Sequence, residues 1–272
     1  MAQAESGLLV DPKWLASHLT DKDVVLIDTR PAKEYWAGHL DGARHFDPFP
    51  FHYSDTSPRG MNEFTQQLEW IFSALGVSGG ETVVFYEDQS GMRAARGVWL
   101  LEYAGHPKAK MLDGGLKAAA QKLTTAAPSF PPSEFKATPR HETVATYTHI
   151  VERLGRRDVQ IFDVRSPEEY FGERVRARHG GAIPGAVQED WVAAIGPDGK
   201  VKSPDALREQ FAALGLHPDN EIIPYCQGGY RAAYSYIALR VAGYPNVRNY
   251  MGSWAEWGNH EDLPIDHPRR KS

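Results

Sequence analysis

The chain has 272 residues, 42% of them hydrophobic and 24% charged, which is typical of a globular protein with two domains that each bury a core. Its formal net charge of −5 argues against nucleic acid or an anionic membrane as the main partner, although a local basic pocket for a small anion is compatible with it. No apolar run reaches the ~18 residues of a membrane span. The N-terminus lacks the basic and apolar regions of a signal peptide, so we expect a cytoplasmic protein.

The first half of the chain contains two short apolar runs and one helical stretch. Residues 24–27 and 83–86 are rich in β-branched and aromatic side chains, which predicts buried strands. A helix is predicted over residues 94–103, and a glycine and a proline shortly afterwards end it. Residues 125–141 are proline-rich and have no periodic apolar pattern, which predicts a linker. We therefore expect one domain over residues 1–124 and a second over residues 142–272.

The second half repeats this order of elements. Residues 159–162 and 222–225 predict two further strands, and residues 232–242 predict a helix. Strands that alternate with helices imply an α/β fold, in which each domain has a mainly parallel sheet flanked by helices. Matched residues occur in the same order in both halves, which indicates an internal repeat. The pairs include Asp28 with Asp163, Arg30 with Arg165, Tyr86 with Tyr225, and Arg93 with Arg231.

The second half also contains an insertion near residues 171–180 that the first half lacks. Its basic residues are Arg174, Arg176, Arg178 and His179. Clustered charges usually face water, so the sequence favours a solvated basic loop over a loop at the edge of a functional site.

Cys226 is the single cysteine of the chain, which excludes an internal disulfide and a multi-cysteine zinc site. It directly follows the strand that ends at Tyr225, and ligands of open α/β sheets bind at the carboxyl ends of strands. The next residues are Gln227, Gly228, Gly229 and Tyr230. Glycines let backbone N–H groups converge on an anion, and the following helix and Arg231 add positive potential. The sequence therefore predicts a thiol with a lowered pKa, and a buried structural cysteine is the alternative.

These motifs resemble the rhodanese family. The strand, cysteine, loop and helix are similar to its active-site loop, and the stretch from Asp163 and Arg165 is similar to its other signature. The segment around Trp254 is similar to its C-terminal signature. The similarity extends over nearly the whole chain, in the tandem form of thiosulfate and 3-mercaptopyruvate sulfurtransferases. It implies two rhodanese-like domains, of which the first is inactive because Glu87 stands at the position of Cys226.

The resemblance implies a role for each site residue. Cys226 would be the catalytic residue, and the loop that ends at Arg231 would bind the substrate through its N–H groups, without a metal or an organic cofactor. Asp163 and Arg165 have counterparts in the half without a nucleophile, so we expect them to form a supporting ion pair. Trp254 is expected to be mainly a packing residue.

The implied reaction is a double displacement, in which Cys226 takes sulfane sulfur from thiosulfate and passes it to cyanide, a small thiol or a protein acceptor. Thiosulfate is preferred because the Arg231 guanidinium suits a compact oxyanion, and 3-mercaptopyruvate is the alternative donor. Glu169 departs from both subfamilies, which have a substrate-binding arginine there. A phosphatase of this fold would need Cys-x5-Arg, whereas this loop is the narrower Cys-x4-Arg. A non-catalytic persulfide carrier is a third alternative.

Overall fold

The computed structural model describes residues 7–270, which form two compact units. The first unit contains the described residues up to His52, then Glu63–Arg140 and Ile195–Val201. The second contains Tyr53–Asn62, His141–Ala194 and the described residues from Lys202 on. Each unit is therefore discontinuous in sequence, since it includes one short segment from the other half of the chain.

The first unit is built on a five-stranded sheet in the order β1-β5-β4-β2-β3, and all of its paired neighbours are parallel. The strands are β1 Leu9–Val10, β2 Val24–Asp28, β3 Arg44–His45, β4 Thr82–Tyr86 and β5 Ala109–Leu112. The predicted runs at 24–27 and 83–86 are the two central strands. Their apolar side chains are buried because helices cover a parallel sheet on both faces.

The helices of this part of the chain follow the strands in the alternation expected of an α/β fold. They are α1 Pro12–His18, α2 Ala32–Ala37, α3 Pro58–Ala74, α4 Met92–Tyr103 and α5 Gly115–Ala119, with a 3₁₀ turn at Phe49–Phe51. Asp11 caps α1, since its side chain accepts a hydrogen bond from the N–H of Trp14 at 2.7 Å. The first residues of α3 are grouped with the second unit.

The second unit has a three-stranded parallel sheet, β8-β7-β9, and a two-stranded parallel sheet, β10-β6. A parallel bridge between Ile222 and Val247 connects β9 to the segment just before β10. The combined order therefore matches that of the first unit. The strands are β6 Val144–Ala145, β7 Val159–Asp163, β8 Val187–Gln188, β9 Glu221–Tyr225 and β10 Asn249–Tyr250.

Five helices and two 3₁₀ turns accompany these strands within the described residues. They are α6 Tyr147–Val151, α7 Pro167–Tyr170, α8 Pro204–Ala213, α9 Tyr230–Val241 and α10 Ser253–Trp257, with 3₁₀ turns at His141–Thr143 and Trp191–Ala194. The residues of α9 are buried on nearly all sides, as expected for a helix that packs on a sheet in the interior. The core beneath the loop after β9 includes Ile223, Tyr225, Trp254 and Trp257.

The predicted fold class is confirmed, and each predicted strand and helix is present with ends shifted by one or two residues. Residues 125–140 contain no helix or strand. The division into domains at residues 124 and 142 stays a prediction. Within residues 7–270, none of the helices has the length and apolar character needed to cross a membrane.

Candidate active site

Cys226 lies at the carboxyl end of β9, directly before the loop that leads into α9. The residue is 1% exposed, and its Sγ accepts a hydrogen bond from the backbone N–H of Gly229 at 3.1 Å. Gly229 has φ +81° and is the N-cap residue of α9. A side chain would be strained in this left-handed conformation, so glycine allows the loop to turn its N–H groups toward the sulfur.

Three effects determine the charge of the Cys226 thiol. Burial alone would raise its pKa, because it penalises the thiolate. The positive charge of Arg231 and the backbone N–H groups of Ala232, Gly228 and Gly229 act in the opposite direction, and the pKa is lowered overall. A lowered pKa increases the fraction of the nucleophilic thiolate at a given pH, which is the direction predicted from the loop sequence.

Arg231 forms a two-pronged ion pair with Glu169. Its Nη1 donates to Oε2 at 2.6 Å and its Nη2 donates to Oε1 at 2.9 Å. The side chain of Glu169 is only 3% exposed. Burial alone would raise the pKa of Glu169, but the hydrogen bond and the charge from Arg231 lower it to about 2. The sequence identified Glu169 only as a departure from the family pattern and did not predict this pair.

Asp163 and Arg165 lie behind the loop as a buried ion pair. Arg165 donates through Nε to Oδ1 of Asp163 at 2.9 Å and through Nη2 to Oδ2 at 2.6 Å. The same Nη2 donates to the carbonyl oxygen of Gly181 at 2.7 Å, and the Tyr225 hydroxyl also donates to Asp163. The guanidinium lies 4.5 Å from the ring centroid of Trp254. This arrangement connects β7, β9 and α10, as a supporting pair would.

The beginning of α10 holds the loop from its other side. Trp254 donates its N–H to the carbonyl oxygen of Cys226 at 3.0 Å, and Ala255 does the same to Gln227 at 2.8 Å. The Oγ of Ser253 accepts the N–H of Cys226 at 3.1 Å. Sequence reasoning missed Ser253, although it lies inside the segment around Trp254 that had been singled out.

The inserted segment 171–180 keeps its basic side chains exposed, while its backbone contacts Gln227 and Trp254. The side-chain Nε2 of Gln227 donates to the carbonyl oxygen of Arg176 at 3.1 Å. The indole N–H of Trp254 donates to the carbonyl oxygen of His179 at 3.0 Å. Both contacts use backbone atoms of the insertion. For that reason its composition could not reveal them.

The first unit has a corresponding loop, which is one residue longer and has different chemistry. At the end of β4, the Oε1 of Glu87 accepts the N–H groups of Arg93 at 2.8 Å and Ala94 at 3.0 Å. Burial raises the pKa of Glu87 to about 7. The loop of the first unit thus holds the carboxyl group of Glu87, whereas the loop of the second unit holds a thiol.

The fold and this loop place the chain among α/β proteins with a reactive cysteine at the carboxyl end of a parallel strand. The rhodanese-like domain matches twice, at residues 11–122 and 146–260. The chain therefore belongs to the rhodanese family, and it is an enzyme of the sulfurtransferase class.

Similar proteins are known from bacteria. The chain is 35% identical to the thiosulfate sulfurtransferase of Azotobacter vinelandii, over 97% of this chain and 98% of the relative. It is 33% identical to the sulfur carrier protein TtuD of Thermus thermophilus, over 97% of this chain and 98% of the relative. Its fold matches that of the anaerobic ergothioneine biosynthesis enzyme from Chlorobium limicola with a TM-score of 0.86 and 21% identity, over 98% of this chain and 72% of that chain.

Proposed function

We propose that the chain transfers sulfane sulfur from thiosulfate to a thiophilic acceptor through a persulfide on Cys226. The observation that supports this most strongly is the geometry at the sulfur. A single thiol, with a lowered pKa, accepts the N–H of Gly229 and lies beside Arg231. The relatives that are named thiosulfate sulfurtransferases add support for the donor.

The first step forms a Cys226 persulfide. The thiolate attacks the outer sulfur of thiosulfate, a new S–S bond forms, and the old S–S bond breaks with its electron pair leaving on sulfite. The loop N–H groups from Gln227 to Arg231 then stabilise the negative outer sulfur of the persulfide. In the second step cyanide attacks that outer sulfur, thiocyanate leaves, and the Cys226 thiolate is restored. A small thiol or a protein thiol can replace cyanide in the same chemistry.

We propose different roles for the two domains. The domain over residues 142–272 is catalytic, and the domain over residues 1–124 is inactive as a sulfur carrier, because a carboxyl group at Glu87 cannot accept sulfane sulfur. Loop geometry and charge further support a small anionic donor. The cytoplasmic location and the lack of a nucleic-acid or membrane partner stay predictions from the sequence.

Two measurements test the donor and the intermediate. Initial rates with cyanide as acceptor should be higher for thiosulfate than for 3-mercaptopyruvate. The opposite order would indicate that 3-mercaptopyruvate is the donor. Intact mass after thiosulfate treatment should increase by one sulfur atom, located on Cys226. Persulfide formation without turnover to any acceptor would instead indicate a sulfur carrier.

A further inference from the structure

We propose that Arg176 is a substrate-binding residue, whose guanidinium receives the oxyanion end of the sulfur donor while Cys226 attacks the outer sulfur. This inference rests on the proposed function, since it names the group that recognises the donor at the same site. It differs from the expectation that Arg231 binds the donor anion.

Arg231 has little capacity left for a donor anion. Both of its terminal nitrogens donate to Glu169, and its side chain is 15% exposed. The same guanidinium also interacts with the sulfur of Cys226. A guanidinium has five N–H donors in a fixed plane, so these contacts direct Arg231 toward the carboxylate and the thiolate.

Arg165 is also unsuitable as a donor-binding residue. Its side chain is 1% exposed and is paired with Asp163. Its Nη2 additionally donates to the carbonyl oxygen of Gly181. The Arg165 charge is therefore shielded from an incoming anion.

Arg176 meets the requirements that Arg231 and Arg165 do not. Its side chain is 54% exposed, so it can reach a dissolved anion. Its carbonyl oxygen accepts the side-chain N–H of Gln227, the residue after Cys226, which fixes its backbone next to the loop. Its Nη1 lies 3.5 Å from Oε1 of Glu169, the same oxygen that accepts from Arg231. The Glu169 carboxylate thus lies between the guanidinium groups of Arg231 and Arg176.

The formal charges explain why the second guanidinium matters. Glu169 neutralises one of the two arginines, which leaves this group of three side chains with one positive charge. The Cys226 thiolate cancels that charge, so the site with its free thiolate is close to neutral. Without Arg176 the site would be negative and would repel a dianion such as thiosulfate.

The other basic side chains of the insertion are less well placed. Arg178 pairs with the exposed Glu261, and its N–H donates to Asn259. Arg174 is exposed, and its backbone N–H donates to the carbonyl oxygen of Glu168. Arg174 therefore provides a matched control, because it is an exposed arginine of the same insertion whose backbone is hydrogen-bonded to Glu168 and not to the active-site loop.

The test compares Arg176→Ala, Arg176→Lys and Arg174→Ala in the full chain. For Arg176→Ala, kcat/KM with thiosulfate should fall roughly 5- to 20-fold, mainly through KM, because an exposed guanidinium contributes less than a buried one. A monoanionic aryl thiosulfonate should be affected less. Arg176→Lys should recover part of the loss, since it keeps the charge but not the planar fork. Arg174→Ala should stay within about twofold of the wild type, because the Arg174 backbone is hydrogen-bonded to Glu168 and not to the active-site loop, and a distant exposed charge is screened.

A second readout does not depend on sulfur transfer. Cys226 is alkylated with anionic iodoacetate and with neutral iodoacetamide, and the ratio of the two rates reports the local potential. At a pH where the thiol is fully ionised, Arg176→Ala should lower this ratio while the iodoacetamide rate stays unchanged. An unchanged ratio together with an unchanged thiosulfate KM would overturn the role of Arg176, as would equal losses in Arg174→Ala. If the wild type never accepts sulfur from thiosulfate, the proposed function fails, whereas the alkylation ratio still tests Arg176.

Discussion

The loops that follow β4 and β9 occupy corresponding positions in the two units but hold different hydrogen-bond acceptors. In the first, the Glu87 carboxyl accepts the N–H groups at the start of α4. In the second, the Cys226 sulfur accepts an N–H group at the start of α9. Both loops therefore place a hydrogen-bond acceptor at a helix N-terminus, and this acceptor is a carboxyl group in the first unit and a thiol in the second.

The arginines that end the two loops also have different partners. Arg231 is paired with Glu169, which is buried. Arg93 instead lies 3.4 Å from Asp47 and over the ring of Phe49. Glu34, which follows Arg30 by four residues as Glu169 follows Arg165, is exposed. The comparison shows that the duplicated fold provides the loop and the arginine that ends it, whereas the partner of that arginine differs between the two halves.

The largest expected effect distinguishes Cys226 from Glu87, the residue at the corresponding position of the first unit. Cys226→Ser should abolish sulfur transfer and leave the fold intact, because a hydroxyl cannot form a persulfide under these conditions. Glu87→Ala should leave kcat/KM within about twofold, since the first loop holds no sulfur. Transfer from thiosulfate to cyanide measures both, with circular dichroism as the control for folding. Substantial transfer by Cys226→Ser would refute the assignment of the nucleophile.

The next effect concerns the two loop arginines. Arg231→Ala should lower kcat/KM roughly 10- to 200-fold and raise the Cys226 pKa, because a charge-assisted interaction of ~1.5–3 kcal/mol is lost. Arg231→Lys should restore part of the activity, and Arg93→Ala is the matched control. The rate of Cys226 alkylation against pH separates activation from support of the loop. A lower melting temperature with an unchanged thiol titration would show that Arg231 has only a structural role.

A smaller effect is expected for the acidic partners. In Glu169→Gln a negative charge near the thiolate is lost, so the Cys226 pKa should fall and the alkylation profile should move to lower pH. The weakened pair should cost about 1–3 kcal/mol of stability. Glu34→Gln should change neither quantity, because Glu34 is exposed. An unchanged thiol titration in Glu169→Gln would mean that this carboxylate does not influence the sulfur.

The smallest effect on activity, and a clear one on stability, is expected for Glu87→Gln. Burial raises the pKa of Glu87 from 4.5 to about 7, so the folded protein holds this proton more tightly than the unfolded chain. The resulting stability is complete below pH 4.5 and is lost as the pH rises to about 7. Glutamine keeps an oxygen that can accept both N–H groups but does not ionise.

Urea unfolding at several pH values tests this expectation. The stability of Glu87→Gln relative to the wild type should increase with pH across that window, by up to ~3 kcal/mol. Sulfur transfer should remain unchanged. A stability difference that is constant with pH would show that Glu87 is ionised in the folded state.

The sequence by itself determined the architecture and the position of the thiol. Alternating apolar runs predict strands and helices because local periodicity decides which faces are buried. The repeat and the lone cysteine after β9 are likewise visible as residue order. The loop glycines, Gly228 and Gly229, indicate converging N–H groups because the backbone freedom of glycine is a property of the residue itself.

Only the tertiary structure decided which charges meet. Arg231 and Glu169 are 62 positions apart, and their pairing depends on how α7 and α9 pack. The contact of Arg176 with Gln227 uses a backbone carbonyl, and every residue type has one. The sequence therefore could not show that Arg231 is paired with Glu169 and that the exposed Arg176 lies beside the same carboxylate. Such pairings follow from three-dimensional proximity, because electrostatic energy depends on distance and burial, not on separation along the chain.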